Sequence, residues 1–154
     1  MTSLPHRPPS RLQPTVRRKF LRLSLIVTLA ALAATLLTAA TPAGDEASAI
    51  GQKWLALLDD QKYEESYTAA GSMFRNEVRH DSWIASLEKF REPLGPLVSR
   101  TASRVDLAKT LPAAPDGEYA IIHYKTVLQN KTITERLTLA MEDGKWQVYA
   151  YAIH

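Results

Sequence analysis

The sequence predicts an α+β domain in which three helices cover one face of a curved four-stranded antiparallel sheet. Three observations carry this. Asp143-Gly144 separates two apolar-alternating runs, and a two-residue type I′ hairpin turn needs the positive φ that Asp and Gly tolerate. Asn130-Lys131 offers a weaker turn upstream, so residues 118–154 read as a three-stranded meander. Ahead of it, apolar residues recur at helical spacing through residues 45–94.

Taken in order, the chain begins with a segment of different character. Residues 1–22 hold Arg7, Arg11, Arg17, Arg18, Lys19 and Arg22 and no acidic residue, and residues 23–40 are uncharged and mostly apolar. Small residues then suit cleavage near Ala40 or Ala43. A basic start, an apolar run and a small-residue exit make an export signal over residues 1–43. The same run is long enough to cross a membrane, so an uncleaved anchor is the competing expectation. The Ala-rich, weakly hydrophobic composition favours cleavage. Val16-Arg17-Arg18-Lys19-Phe20-Leu21-Arg22 resembles the twin-arginine export motif without the usual Ser or Thr before the pair; a general secretory signal carries similar charges. Both routes place residues 44–154 outside the cytoplasm, periplasmic or secreted.

Once that segment is set aside, 13 basic and 16 acidic residues remain, a formal net charge of −3. The basic excess of the whole chain therefore belongs to its first 44 residues and gives no argument for nucleic-acid binding. The chain has no cysteine, which excludes disulfides, thiol catalysis and a lipidated cysteine anchor. The domain must be held by its core alone, which about 110 residues can supply.

Asp45 to Asp60 is the first expected helix. Ala47, Ile50, Trp54, Leu55 and Leu58 form its stripe, with Asp45 and Glu46 at the positive end of the helix dipole. Asp59-Asp60-Gln61-Lys62 makes a turn. A second helix is expected over Tyr63–Ala70, closed by Gly71 as C-cap. Residues 72–79 are ambiguous, although Met73, Phe74 and Val78 suit a short helix better than a strand. Asp81 is a natural N-cap for the third helix, which should end near Pro93. Trp54, Trp83 and Phe90 fall at core positions.

Residues 97–110 predict a long first strand whose polar content suits a sheet edge. Residues 111–117, with Pro112, Pro115 and Asp116-Gly117, form the loop into the meander. The Asp143-Gly144 turn would pair Met141 with Trp146, Leu139 with Val148, Leu137 with Ala150 and Glu135 with Ala152. The Asn130-Lys131 turn would pair Thr126 with Glu135, Tyr124 with Leu137, Ile122 with Leu139 and Ala120 with Met141. Both turns select the same inner face of the middle strand. Ile121, His123, Tyr149, Tyr151 and Ile153 are then expected on the outer face. This order of helices and strands suggests the cone-shaped NTF2-like and cystatin-like folds.

Trp54-Leu55 with Asp59, Tyr63, Trp83, Arg91-Glu92-Pro93-Leu94-Gly95, Ser99-Arg100, Pro115-Asp116-Gly117-Glu118-Tyr119 and Asp143-Gly144-Lys145-Trp146-Gln147-Val148 together resemble a bacterial family filed as domain of unknown function 4019. The resemblance spans most of residues 45–153. It implies a small exported protein and no established activity, so it assigns no catalytic residue.

Among candidate chemical groups, Glu135 stands out because the register puts a carboxylate on the core face, beside Thr126 and near His154. Inside a cone it would have a raised pKa, or would pair with Arg91 or Arg100. With Tyr124 as a hydrogen-bond donor, it could floor a small-molecule pocket. The alternative is a structural ion pair, or a carboxylate reaching water at the sheet end. Arg100 and Arg104 are expected to share one face of the first strand. The histidines show no metal-ligand spacing, and no phosphate-binding glycine loop or G-x-S-x-G motif is present, so neither metal nor cofactor is expected. Ile121, Tyr149, Tyr151 and Ile153 form a candidate interaction or homodimer surface. The leading expectation is a non-catalytic envelope module that binds a protein or small ligand. A pocket enzyme using Glu135 as acid or base is the alternative.

Overall fold

The computed structural model describes residues 42–154. Apart from Pro42 and Ala43, the expected export signal lies outside the described residues. Helices α1 (Pro42–Asp59), α2 (Tyr63–Ala69), α3 (Ser72–Glu77) and α4 (His80–Phe90) come first, followed by a 3-10 turn at Glu92–Leu94. Strands β1 (Leu97–Ala108), β2 (Tyr119–Leu128), β3 (Thr132–Glu142) and β4 (Lys145–Ile153) follow, in an antiparallel sheet of order β1-β2-β3-β4. The class is α+β. No described helix is long and apolar enough to cross a membrane.

Four helices replace the expected three because the ambiguous 72–79 stretch supplies α3. Its amino end is capped from a distance: Glu142, at the end of β3, accepts from Ser72 N (2.8 Å), Ser72 Oγ (2.6 Å) and Met73 N (3.3 Å). Gly71 is therefore not the left-handed C-cap of α2. Its φ is −63°, and it precedes α3. A glycine is needed there for space, since an added Cβ would collide with Glu142 Oε1 and touch Gln147 Cβ at 3.0 Å. Asp81 is likewise no N-cap. Helix α4 starts one residue earlier at His80, and Asp81 pairs with that imidazole at 3.0 Å.

The core joins the two layers. Ala47, Trp54, Leu55 and Leu58 of α1, with Phe74, Trp83 and Leu87, pack with Ile122, Tyr124, Leu137, Leu139, Trp146 and Val148 of the sheet. Gly51 lets α1 approach β3 closely, because a Cβ there would lie 2.8 Å from Leu137 Cδ2. Phe90 is not part of this core. It is the last residue of α4, 56% exposed under the Lys89 ammonium, and the following Arg91 takes the buried position.

Three details of register differ from expectation. The β2–β3 turn lies one residue earlier, with Leu128 N donating to Lys131 O (2.9 Å), so Gln129-Asn130 are its central residues. The end of the 3-10 segment and the residues after it hold this turn, since Asn130 N donates to Leu94 O and Gln129 N to Pro96 O. The strands thus slip by two: Tyr124 faces Glu135 and Thr126 faces Ile133. A two-residue slip leaves every side chain on its expected face. In β4 the Asp143-Gly144 turn forms with φ of 49° and 75° and sets the expected pairs as far as Leu139–Val148. A bulge then adds one residue to β4, so Leu137 faces Tyr151 and Glu135 faces Ile153. One extra residue reverses the faces beyond it. The third difference is a bulge in β1 at Ser103, so Arg100 faces Thr126 on the inner side while Arg104 faces His123 on the outer side.

Candidate functional site

The inner face of the sheet carries a buried charge network where it meets the ends of α1 and α4. Glu135, in the middle of the β3 alternation, is fully buried. Arg100 reaches it from β1, with Nε donating to Oε2 at 2.6 Å and Nη2 to Oε1 at 3.3 Å. The same guanidinium donates from Nη1 and Nη2 to the two carboxylate oxygens of Asp59, at 2.6 and 2.8 Å. Asp59 is the last residue of α1, so this planar fork ties the first helix to the sheet. Arg91, directly after α4, donates from Nη2 to Asp59 Oδ1 at 2.6 Å, and its Nε stands 3.8 Å from Glu135 Oε1. Two guanidiniums and two carboxylates balance in charge.

Two hydroxyls complete the shell of Glu135. Thr126 Oγ1 donates to Oε2, and Tyr151 OH donates to Oε1 at 2.6 Å. The Tyr151 ring packs edge-on to Trp54 and Trp83, at 5.6 and 6.1 Å between centroids. Those indoles are fixed by one small residue of α2. Trp54 Nε1 donates to the Ser66 carbonyl (2.8 Å) and Trp83 Nε1 to Ser66 Oγ (3.0 Å), while that hydroxyl donates to Tyr63 O (2.6 Å).

The electrostatics follow from these contacts. Burial pushes the Glu135 carboxyl up, but the Arg100 hydrogen bond and charge, with the Thr126 and Tyr151 hydroxyls, outweigh it and hold the group below its ordinary value. Burial opposes the Arg100 charge, yet Asp59 and Glu135 hold the guanidinium protonated more firmly than in water. Burial first and the Glu135 charge second push the Tyr151 phenol far up. Tyr124, pushed up to about 12 mainly by burial, leaves its hydroxyl without a hydrogen-bond partner.

Of the sequence-predicted residues, the structure brings Glu135, Thr126, Arg91 and Arg100 together and sets Tyr124 beside Glu135 across the β2–β3 ladder. His154 is not there. It is exposed, and its backbone exchanges two bonds with Thr134, which places it on the opposite face. The β4 bulge has a second consequence: Tyr151 leaves the expected interaction surface to become a ligand of Glu135, and Ile153 now faces Glu135. Ile121 and Tyr149 lie on the outer side of the sheet, where they line a shallow depression with Leu111, Pro112, Arg136 and Thr138. Asp59, which the sequence places in a turn, is the network residue that the sequence does not mark. Among the described residues no group of three or more His, Asp and Glu side chains is placed to hold a metal ion.

The family model described as "Protein of unknown function (DUF4019)" matches residues 50–151, a span that contains every residue of the charge network. A search of curated proteins finds no match.

Proposed function

The chain belongs to the DUF4019 family, and we propose that it is an exported, non-catalytic α+β module of NTF2-like layout that binds a protein or small ligand in the cell envelope. On this reading residues 1–43 are a cleaved export signal and residues 44–154 are the mature module. The observation that carries the non-catalytic part is the state of Glu135. Its carboxylate is shut off from solvent, and each oxygen is already taken by donors. A general acid or base must hold or accept a proton within reach of substrate. This carboxylate is held ionised, among groups that are themselves held protonated.

The surface available to a partner lies elsewhere, and the outer-face depression around Ile121 and Tyr149 is one such place. The NTF2-like layout is supported by helices leading an antiparallel meander and by bulges, which bend strands.

Expression of the full chain in a bacterial host, followed by fractionation and N-terminal sequencing, tests the location. A shortened form beginning after Ala40 or Ala43 in the periplasm is expected; a full-length cytoplasmic chain overturns it. Native mass spectrometry of protein purified without stripping small molecules tests the binding mode. A bound molecule lost in Glu135→Gln, with the fold intact, would restore the pocket-enzyme reading.

A further inference from the structure

Four of the five exposed large apolar residues among the described residues sit on one strand: Leu97, Val98, Val105 and Leu107 of β1. β1 is an edge strand of twelve residues, with no proline and no lysine to discourage pairing. The other edge is different. At β4, Gly71 N donates to Val148 O (2.8 Å), so the link between α2 and α3 lies against that strand.

We propose that β1 pairs antiparallel with β1 of a second copy of this chain, about a two-fold axis through Val105, joining two four-stranded sheets into one. The charges select this register. Arg104 and Asp106 face the same outer side, opposite His123 and Ile121 of β2; Arg104 is exposed, Asp106 is half-buried, and they make an ion pair with each other at 2.7 Å. With the axis at Val105, each Arg104 stands across from Asp106 of the other copy, twice by symmetry. An axis at Arg104 or Asp106 would set like charges directly opposite, and an axis at Ala102 would oppose Arg104 to Arg100. In the chosen register Val105 meets its own copy and Leu107 meets Ser103. The ladder ends at the Ser103 bulge, which makes it about five residues long and the dimer weak and concentration-dependent. Pairing through one edge closes at two copies.

Sedimentation velocity on the full chain, as it accumulates and over a concentration series, reads this directly. A monomer–dimer equilibrium is expected. Val105→Lys, Arg104→Asp and Asp106→Arg should each raise the dimer dissociation constant roughly tenfold or more, since both symmetry-related contacts change at once. The double charge swap Arg104→Asp with Asp106→Arg should restore dimerisation, and Tyr149→Asp on the outer face should leave it unchanged. Because all these side chains are at least partly exposed, circular dichroism should show each variant folded; should one unfold, the remaining single variants and the swap decide. A wild-type chain that stays monomeric throughout overturns the proposal. So does a dimer that withstands Val105→Lys, a charge swap that fails to recover it, or a dimer abolished by Tyr149→Asp.

Discussion

Glu135 and Ser66 show how much one polar side chain can organise when it is buried with all its partners. Removing the Glu135 carboxylate leaves Arg100 with half its acceptors and Tyr151 with none, inside a low-dielectric interior. Breaking a buried ion pair by deleting one partner costs about 3–5 kcal/mol, so Glu135→Ala should lower stability by that order in a denaturant titration. A loss below about 1 kcal/mol would mean that the network behaves like a surface pair. Ser66→Ala is a smaller test of the same kind. It removes the acceptor of Trp83 Nε1 while leaving the Ser66 carbonyl for Trp54, and an unsatisfied buried donor costs about 1–3 kcal/mol. Trp83 fluorescence should shift with it; an unchanged spectrum and midpoint would show that the indole finds another acceptor. At this scale the sequence was partly legible. Glu135 declares itself because period-two alternation in β3 gives only one face to a residue between Leu137 and Ile133. Asp59 does not, because Asp-Asp followed by Gln-Lys carries a strong local turn signal that hides a long-range role. Tyr151 departs from its expected face for a third reason: nothing in Val148-Tyr149-Ala150-Tyr151 marks a bulge, and a one-residue insertion reverses the face.

The helical elements depend on contacts made far away in sequence. Helix α3 has six residues, too short to persist by propensity alone, and its first amides rely on Glu142 from the end of β3. Glu142→Ala should therefore cost about 0.5–2 kcal/mol, the usual range for a lost amino-terminal cap. Gly71→Ala should cost a similar amount by a different route, since the new Cβ must push the same carboxylate away. If both act through one cap, the double variant loses clearly less than the sum of the two. Additive losses would separate the glycine from the cap. The strand pairings were legible to different depths. Asp143-Gly144 set its hairpin because both residues accept positive φ. The turn sits one position before Asn130-Lys131, because the carbonyls of Pro96 and Leu94 accept from the Gln129 and Asn130 amides. That tertiary contact leaves no local trace.

Across the whole molecule, the network joins all four strands to the ends of two helices: Arg100 in β1, Thr126 in β2, Glu135 in β3 and Tyr151 in β4, with Asp59 closing α1 and Arg91 following α4. Its protonation state should therefore register in global unfolding and not only in local motion. The Glu135 carboxyl is held below its ordinary value in the folded chain, whereas the unfolded chain titrates near the free value of about 4.3. Between those two values the unfolded state binds more protons than the folded one. The stability contributed by Glu135 is thus full above the unfolded value and is lost as pH falls through the lower folded value. In acid titrations followed by thermal melting, the wild-type chain should lose stability below about pH 4.3 more steeply than Glu135→Gln, which has no proton to take up at that position. The two curves should converge as acid removes the wild-type advantage. Parallel curves would place the acid sensitivity in other carboxylates and detach the network from the cooperative unit.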